Sequence, residues 1–232
     1  LQMAPYQLAQ ITQPYYINEQ LYDATLLRAI FSRRQLFQRM VEFWTDHFNI
    51  DLTKNYCPWI KILDDRNVIR VHALGRFRDL LGASAHSPAM LDYLDNHTSK
   101  VGNPNENYAR ELLELHTRGV DGGYTQQDVV EVARCLTGWG YHPYCPTQAP
   151  AFEIRYTPSD HDDDAKTVLG NNIPAGGGMN DVEMVLDILC AHPSTANFIS
   201  KKLCKFFYSE VPPQSLVDAV SATYTATDGD IK

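Results

Sequence analysis

The chain has 232 residues, of which 44% are hydrophobic and 11% aromatic, a composition typical of a globular domain with a sizeable core. It carries 20 lysines and arginines against 28 aspartates and glutamates, so its formal net charge is −8. Nucleic acids and anionic membrane surfaces are bound through clustered basic residues, and this charge therefore argues against both as main partners. We also expect no membrane-spanning segment, because no apolar run approaches roughly 20 residues.

The hydrophobic pattern predicts helices along most of the chain. Residues 1–20 are polar and contain two prolines, so we expect an irregular N-terminal segment there. Residues 51–65 are predicted to form a loop. Helices are predicted at about 22–33, 34–49, 66–82, 88–96, 105–118, 126–137, 181–191, 193–208 and 214–226.

Residues 138–170 differ from the rest, because they combine glycine, proline and tyrosine with short alternating runs such as FEIRY and KTVLG. Such runs predict small strands joined by long loops. We therefore predict a mostly α fold, with residues 21–232 forming a single α-helical domain and a small β-containing insertion at about 138–170. The sequence stops in a polar run as if it should continue, and we expect it to be an excerpt of a longer domain.

The chain has five cysteines and no CxxC pair, which argues against a zinc knuckle. Cys57 and Cys145 both lie in segments rich in proline and aromatic residues. A disulfide between them is one option in an oxidising compartment, and free thiols are the other, because spacing alone does not fix the pairing.

The most charged predicted helix, NYARELLELHTR, invites a functional interpretation and a simpler one. On a helical wheel, Glu106, Arg110, Glu114 and Arg118 follow one another at intervals of four with alternating sign. Each such pair stabilises a helix by roughly 0.2–0.5 kcal/mol. A solvated ladder of ion pairs therefore explains these charges without any function. The residues predicted to face the core are Tyr108, Ala109, Leu112, Leu113 and Leu115.

Two histidines do not fit a solvated surface. His116 falls on the apolar side of the helix just described, and His47 falls inside the apolar arc of the helix predicted at 34–49. A buried histidine must be hydrogen-bonded or ligated. Either one alone could be a satisfied core residue, whereas the two together suggest a site. Glu111 lies at the edge of the polar face, from which it could reach a cleft, and Arg110 precedes it on the same helix.

A loop at residues 159–164, SDHDDD, is dense in metal-ligating side chains. Carboxylates suit hard divalent cations, and imidazole suits zinc, iron or copper. One hypothesis is a divalent metal ion held by His47, His116, His161 and Asp162. The alternative is a solvated acidic turn, because the loop matches no EF-hand or HExxH pattern.

Several long segments resemble, in order, the motifs of one mainly bacterial family, called domain of unknown function eighteen-hundred. They are WTDHFNI (44–50), RVHALGRFRDLLGASAHSPAMLDYLDN (70–96), NENYARELLELHTRGVDGGYTQQDV (105–129), LTGWG (136–140), HDDDAKTVLG (161–170) and HPSTANFISKKLCKFF (192–207). The resemblance covers nearly all of the chain from about residue 20 onward.

This resemblance implies an exported protein, periplasmic, cell-surface or extracellular, whose family is often encoded beside a sulfatase-like exported family. The resemblance suggests a member of that second family as the protein partner. It implies no established activity for this chain. Two hypotheses follow. The chain is either a subunit of an extracellular or envelope-associated assembly whose motifs maintain the fold, or a metal-assisted or acid–base enzyme. In the enzyme, His47, Glu111, His116 and Arg110 would form the catalytic site between the two histidine-bearing helices.

Overall fold

The computed structural model describes residues 3–143 and 150–232, and helices account for most of them. The helices are α1 (Pro5–Ala9), α2 (Tyr15–Phe31), α3 (Gln35–His47), α4 (Cys57–Asp64), α5 (Arg70–His72), α6 (Phe77–Ala85), α7 (Pro88–Tyr93), α8 (Glu106–Glu111), α9 (Gln126–Cys135), α10 (Asn180–Ala191), α11 (Pro193–Phe207) and α12 (Gln214–Ala226). Two π-helical segments, π1 (Asp65–Ile69) and π2 (Leu112–Thr117), continue α4 and α8.

The predicted β-containing insertion is confirmed, and with it the mostly α fold class. Strands β1 (Trp139–Tyr141) and β2 (Ile154–Tyr156) pair antiparallel, with Gly140 opposite Arg155. A second antiparallel pair joins β3 (Lys166–Val168) to β4 (Asn171–Ile173). Each is a two-stranded ribbon, and a ribbon this small needs helical support to be stable. That support comes from α7, which packs on β1, and from α9, which packs on β3.

Two predictions about irregular segments are wrong. Residues 1–20 contain α1 and the beginning of α2, and residues 51–65 contain α4. Both segments contain prolines, which disfavour a helix in its interior. Pro5 and Pro58 instead lie in the first turn of α1 and α4, where the missing N–H costs nothing because it would have no partner in the helix.

The helix predicted at 66–82 is interrupted. The chain passes through π1 and the short α5, turns at Gly75 and resumes as α6. The later helices lie close to their predicted positions, and their starts are explained by their first residues. In α9, for example, the Thr125 side chain accepts a hydrogen bond from the Asp128 N–H while the Asp128 carboxylate accepts one from Thr125, which is a capping box.

One hydrophobic core runs through the described residues, and α3 lies at its centre. Trp44 of α3 is fully buried, and its indole Nε1 donates to the carbonyl oxygen of Ala73 at 3.2 Å. Phe43, next to Trp44 in α3, contacts Phe206 of α11 with ring centroids 5.4 Å apart. Since α11 also packs against π2, the three segments α3, π2 and α11 meet at one place.

Cys57, Cys135, Cys190 and Cys204 are free thiols. Cys145 lies outside the described residues, and so does the predicted pairing of Cys57 with Cys145. Within residues 3–143 and 150–232, none of the helices combines the length and the apolar character needed to cross a membrane.

Candidate functional site

The helix that carries His116 changes from α to π geometry at Leu112. The Arg118 N–H donates to the carbonyl oxygen of Leu113 at 2.8 Å, five residues back, which is the π-helical bond. The wider turn rotates the following side chains away from their positions on a regular wheel. Leu115, predicted to face the core, is therefore 47% exposed, whereas Arg118, predicted on the polar face, is only 6% exposed.

The predicted ladder of ion pairs forms only in its α-helical part. Arg110 Nη2 donates to Glu106 Oε2 at 3.1 Å and to Gln126 Oε1 at 3.0 Å. Glu114 instead accepts a hydrogen bond from the Tyr124 hydroxyl at 3.1 Å. Arg110 is thus part of a partly exposed network on the surface, away from the cleft described next.

His47 and His116 are both 4% exposed, as the wheel predicts, and the structure brings them together with ring centroids 6.2 Å apart. They lie on a cleft of about 540 Å³, which we call the histidine cleft. Glu111 lines the same cleft. The other lining residues are Asp46, Asn49, Asp51, Lys54, Tyr93, Leu94, Asn107, Leu115, Phe198 and Lys202.

The hydrogen bonds of His47 fix its protonation state. Its Nε2 lies 3.0 Å from the carbonyl oxygen of His116, and because a carbonyl only accepts, Nε2 must carry the proton. Its Nδ1 then accepts from Lys202 Nζ at 2.8 Å. Burial, the charge of Lys202 and His116 together hold the pKa of His47 well below its ordinary value. His47 is therefore a neutral imidazole with both nitrogens engaged.

His116 has an unsatisfied ring nitrogen. Its Nδ1 is buried and has no hydrogen-bond partner among the described residues. Burial and the charge of Lys202 lower the pKa of His116 to about 3, so this ring too is neutral. Across the cleft, burial and the neighbouring Glu114 raise the pKa of Glu111. Buried polar groups without partners are uncommon in folded proteins, and this one lies beside an open volume.

Lys202 is the central residue that sequence reasoning missed. It is partly buried and has no ion-pair partner among the described residues. Burial lowers the pKa of Lys202, and this effect is larger than the opposite effect of the nearby charge of Asp46. A signal was available, because Lys202 lies four residues after Phe198 and four before Phe206, and side chains at that spacing share one face of a helix.

The acidic loop is built into a different place. His161 Nδ1 donates to the carbonyl oxygen of Thr137 at 2.9 Å, and its Nε2 lies 3.3 Å from Asp181 Oδ2. Lys166 Nζ donates to the same carboxylate oxygen at 2.6 Å. The ring of His161 is 5% exposed, and both of its nitrogens are used inside this cluster.

The four predicted metal ligands are consequently placed in two groups. His47 and His116 are neighbours, whereas Asp162 is held by two hydrogen bonds from Arg134, at 2.7 and 3.0 Å, beside His161. Within the part of the chain that the structure describes, no group of three or more histidine, cysteine, aspartate or glutamate side chains is arranged to hold a metal ion. The cleft therefore offers two neutral imidazoles, the lysines Lys54 and Lys202, and the carboxyl groups of Asp46, Asp51 and Glu111.

Comparison with known proteins bears on the family rather than the chemistry. Neither a curated protein nor a solved structure matches the chain. The sequence model of one family, described as Protein of unknown function (DUF1800), matches residues 5–232. That match covers nearly the whole chain and agrees with the resemblance found in its motifs. The chain belongs to the DUF1800 family.

Proposed function

We propose that the histidine cleft is the active site of an enzyme that moves a proton to or from a small polar substrate. The observation that carries this proposal is Lys202, a partly buried amine that lies on the cleft and whose pKa is lowered by burial. Its only hydrogen-bond partner among the described residues is the neutral ring of His47. Lysines whose pKa is lowered in this way serve as general bases and nucleophiles.

Each cleft residue has a distinct part in the proposal. Lys202 contacts the substrate and takes or gives the proton. His47 is a positioning residue, because both of its nitrogens are occupied in holding Lys202 against the backbone of π2. Glu111 also lines the cleft, and because its pKa is raised it serves as a second proton carrier. Arg110, predicted from sequence as a member of the site, has no part here.

The lowered pKa of Lys202 is tested by competitive acetylation. The protein is treated with a trace of acetic anhydride at a series of pH values from about 6 to about 11, around the ordinary lysine pKa. Acetylation of each lysine is then read by peptide mass spectrometry. Lys202 should reach half of its maximal reactivity at a lower pH than Lys100, an exposed lysine outside the cleft. Equal midpoints for the two lysines would remove the basis of the proposal.

The activity itself is tested by a turnover screen. Mixtures of small hydroxylated, carboxylated and carbonyl compounds are incubated with the protein, and consumption is followed by mass spectrometry. A substrate of the cleft should be consumed by the natural protein and by Lys100→Met alike. Lys202→Met should consume it at least about 100-fold more slowly, because general acid–base groups contribute about 10²–10⁴-fold to the rate. Undiminished turnover by Lys202→Met would contradict the assignment of this lysine.

A second candidate function is favoured by the surface of α2. Tyr22, Leu26 and Ile30 follow one another at intervals of four and are 66%, 61% and 58% exposed, and Phe31 beside them is 74% exposed. A row of large apolar side chains on one helix face marks a protein-binding surface. We propose on this basis that the chain is also a subunit of an exported assembly, with the sulfatase-like family as the partner that its own family implies.

Localisation and association test this second proposal. Fractionation of the source cells should place the protein outside the cytoplasm, and a tagged copy should co-purify with an exported partner. Leu26→Glu with Ile30→Glu should abolish the co-purification while the protein remains folded. Lys202→Met should leave it intact. A cytoplasmic location, or association that survives the double substitution, would refute the proposed assembly.

A further inference from the structure

A second cavity, of about 670 Å³, lies on the other side of Phe198 from the histidine cleft, and we call it the lysine cavity. It is bounded by α11 and by the turn that follows π2. Lysine and arginine side chains dominate its charge, namely Arg118, Lys201, Lys202 and Lys205, against the single carboxylate of Asp121 among its lining residues. This concentration of positive charge stands out in a chain whose formal net charge is −8.

The lysines of this cavity have no ion-pair partner among the residues that the structure describes. Neither Lys201 nor Lys205 forms an ion pair or a hydrogen bond within residues 3–143 and 150–232, and Lys202 bonds to a neutral imidazole. Like charges held this close repel one another. An arrangement of this kind becomes favourable when an anion occupies the space between them.

Arg118 supplies an independent sign that an acceptor belongs here. It is 6% exposed, lines the cavity, and has neither Nε nor Nη1 hydrogen-bonded among the described residues. Its Nη2 lies 3.2 Å from His192 Nε2. The other nitrogen of His192 already accepts the N–H of Ser194 at 3.1 Å, so a neutral His192 carries its proton on Nε2 and is a second donor. Arg118 and His192 therefore bring several N–H donors together, and the Nε and Nη1 groups of Arg118 have no acceptor among the described residues.

The carboxylate of Asp128 does not supply that acceptor. Asp128 attracts the charge of Arg118, but its oxygens accept hydrogen bonds from Thr125 and from the N–H of Leu169 at 2.7 Å. A buried guanidinium that lacks acceptors is a costly feature, and unfilled donors of this kind call for a bound group.

Two glycines bring the backbone close enough to form the wall of this cavity. Gly119 has a φ of +80°, and a Cβ on it would lie 2.8 Å from the Phe198 ring. A Cβ on Gly122 would lie 2.5 Å from the Cβ of Arg118. Larger residues would push the turn away from both side chains, so the sequence RGVDGG is what permits this close wall around Arg118.

We propose that the lysine cavity binds a small molecule through an oxyanion group with two or more negative charges, such as a phosphate, a sulfate or paired carboxylates. Arg118 provides the deep contact, and Lys201 and Lys205 attract the anion at the mouth. This site is separate from the proposed proton-transfer site, with which it shares only Lys202 and Phe198. A ligand here would also place negative charge next to Lys202.

The test measures thermal stability of the whole chain in sodium phosphate, sodium sulfate, sodium pyrophosphate and sodium citrate, each against sodium chloride of equal ionic strength. A ligand that binds the folded state raises the midpoint in a saturable way. We expect saturable stabilisation by at least one multivalent anion and none by chloride, and the four salts distinguish phosphate, sulfate and carboxylate chemistry. Isothermal titration then gives the Kd of the best anion.

Variants assign the binding to the cavity. Arg118→Met should weaken the best anion about tenfold or more, as expected for loss of a hydrogen bond to a charged group. Lys201→Met and Lys205→Met, both on the surface, should each weaken it by about two- to fivefold. A double variant that combines Lys201→Met with Lys205→Met keeps the test valid if Arg118→Met does not fold. Lys100→Met is the matched control.

Two outcomes would overturn the inference. One is that no multivalent anion stabilises the protein beyond chloride. The other is that the double lysine variant binds the anion as tightly as Lys100→Met does. His116→Phe, which alters only the histidine cleft, should leave anion binding unchanged. Failure of every compound in the turnover screen, with anion binding intact, would therefore count against the proton-transfer proposal alone.

Discussion

The protein buries histidine in two contrasting surroundings. In the cluster formed by His161, Lys166 and Asp181, which we call the closed cluster, opposite charges meet directly. Lys166 Nζ donates to Asp181 Oδ2 and to the carbonyl oxygens of Asp162 and Asp164, and its side chain is fully buried. In the histidine cleft, by contrast, a lysine bonds to a neutral imidazole, a second imidazole has one nitrogen without a partner in the described part of the chain, and the space beside them is open.

This difference separates charge used for architecture from charge available for chemistry. The closed cluster ties the acidic loop to the start of α10 through Asp181, whose Oδ2 meets Lys166 and His161, while its Oδ1 has no partner among the described residues. The histidine cleft leaves His116 Nδ1 without a partner among the described residues and beside an open volume, which is unfavourable for stability and is typical of functional sites. The loop that is most conspicuous in the sequence is therefore the structural one.

The largest effect is expected from breaking the closed cluster. Lys166→Met leaves the carboxylate of Asp181 buried and without its cation, and loss of one partner of a buried pair costs about 3–5 kcal/mol. Urea unfolding should show that loss. As a control, Arg76→Met breaks an exposed pair with Asp228 and should cost at most about 1 kcal/mol. Equal losses for both would mean that the closed cluster is not structural.

A pH series should reveal the buried neutral histidines of the cleft. The pKa of His116 is lowered to about 3, against about 6.5 in an unfolded chain. Above about pH 6.5 both states are neutral and this histidine contributes nothing. Below it the unfolded chain binds a proton that the folded chain does not, so stability falls as the pH falls towards 3. By about pH 5 the loss from His116 reaches about 2 kcal/mol, and His47 adds in the same direction.

The free energy of unfolding, measured in urea between about pH 7 and about pH 5, tests this. His116→Phe removes one of the two titrating rings, so the curve of stability against pH should be flatter than in the natural protein. Lys100→Met, a surface substitution, should leave the slope unchanged. An identical slope in His116→Phe would show that His116 is protonated in the folded state.

Sequence patterns were sufficient where the chain follows regular geometry. The apolar arc of α3 placed His47 in the interior, and capping residues located the start of α9. The pattern failed at π2, because a wheel drawn at 100° per residue assumes α geometry. There Arg118 and Leu115 exchange the environments predicted for them. Nothing in local composition announces a π turn, since it depends on how the surrounding helices pack.

The two histidines of the cleft could be predicted from the sequence, but Lys202 could not. Both histidines could be found, because each interrupts an apolar face of its own helix. Lys202 comes from a third helix more than 80 residues further along the chain, and its role depends on a long-range contact of 2.8 Å with His47. The metal hypothesis joined His161 to the cleft because metal-ligating residue types were counted without knowledge of which ones share a location.

A smaller effect is expected from Lys202→Met. Removing a partly buried amine that has no carboxylate partner relieves desolvation, whereas leaving His47 Nδ1 without a donor costs about 1–3 kcal/mol. These two effects oppose one another, so we expect a net change within about 1 kcal/mol. Urea unfolding of Lys202→Met beside Lys166→Met compares the two regions directly. A loss as large as that of Lys166→Met would place Lys202 among the architectural charges.

The smallest effect is expected from Arg110→Ala, which tests the residue that the structure moves out of the site. Arg110 pairs with Glu106 four residues earlier on an exposed helix face, and such a pair is worth roughly 0.2–0.5 kcal/mol. Its loss should be detectable only at low salt, because exposed charges are screened. Substrate turnover and anion binding should be unchanged, since Arg110 lines neither cavity. If turnover falls while stability does not, Arg110 acts on the substrate after all and belongs to the site.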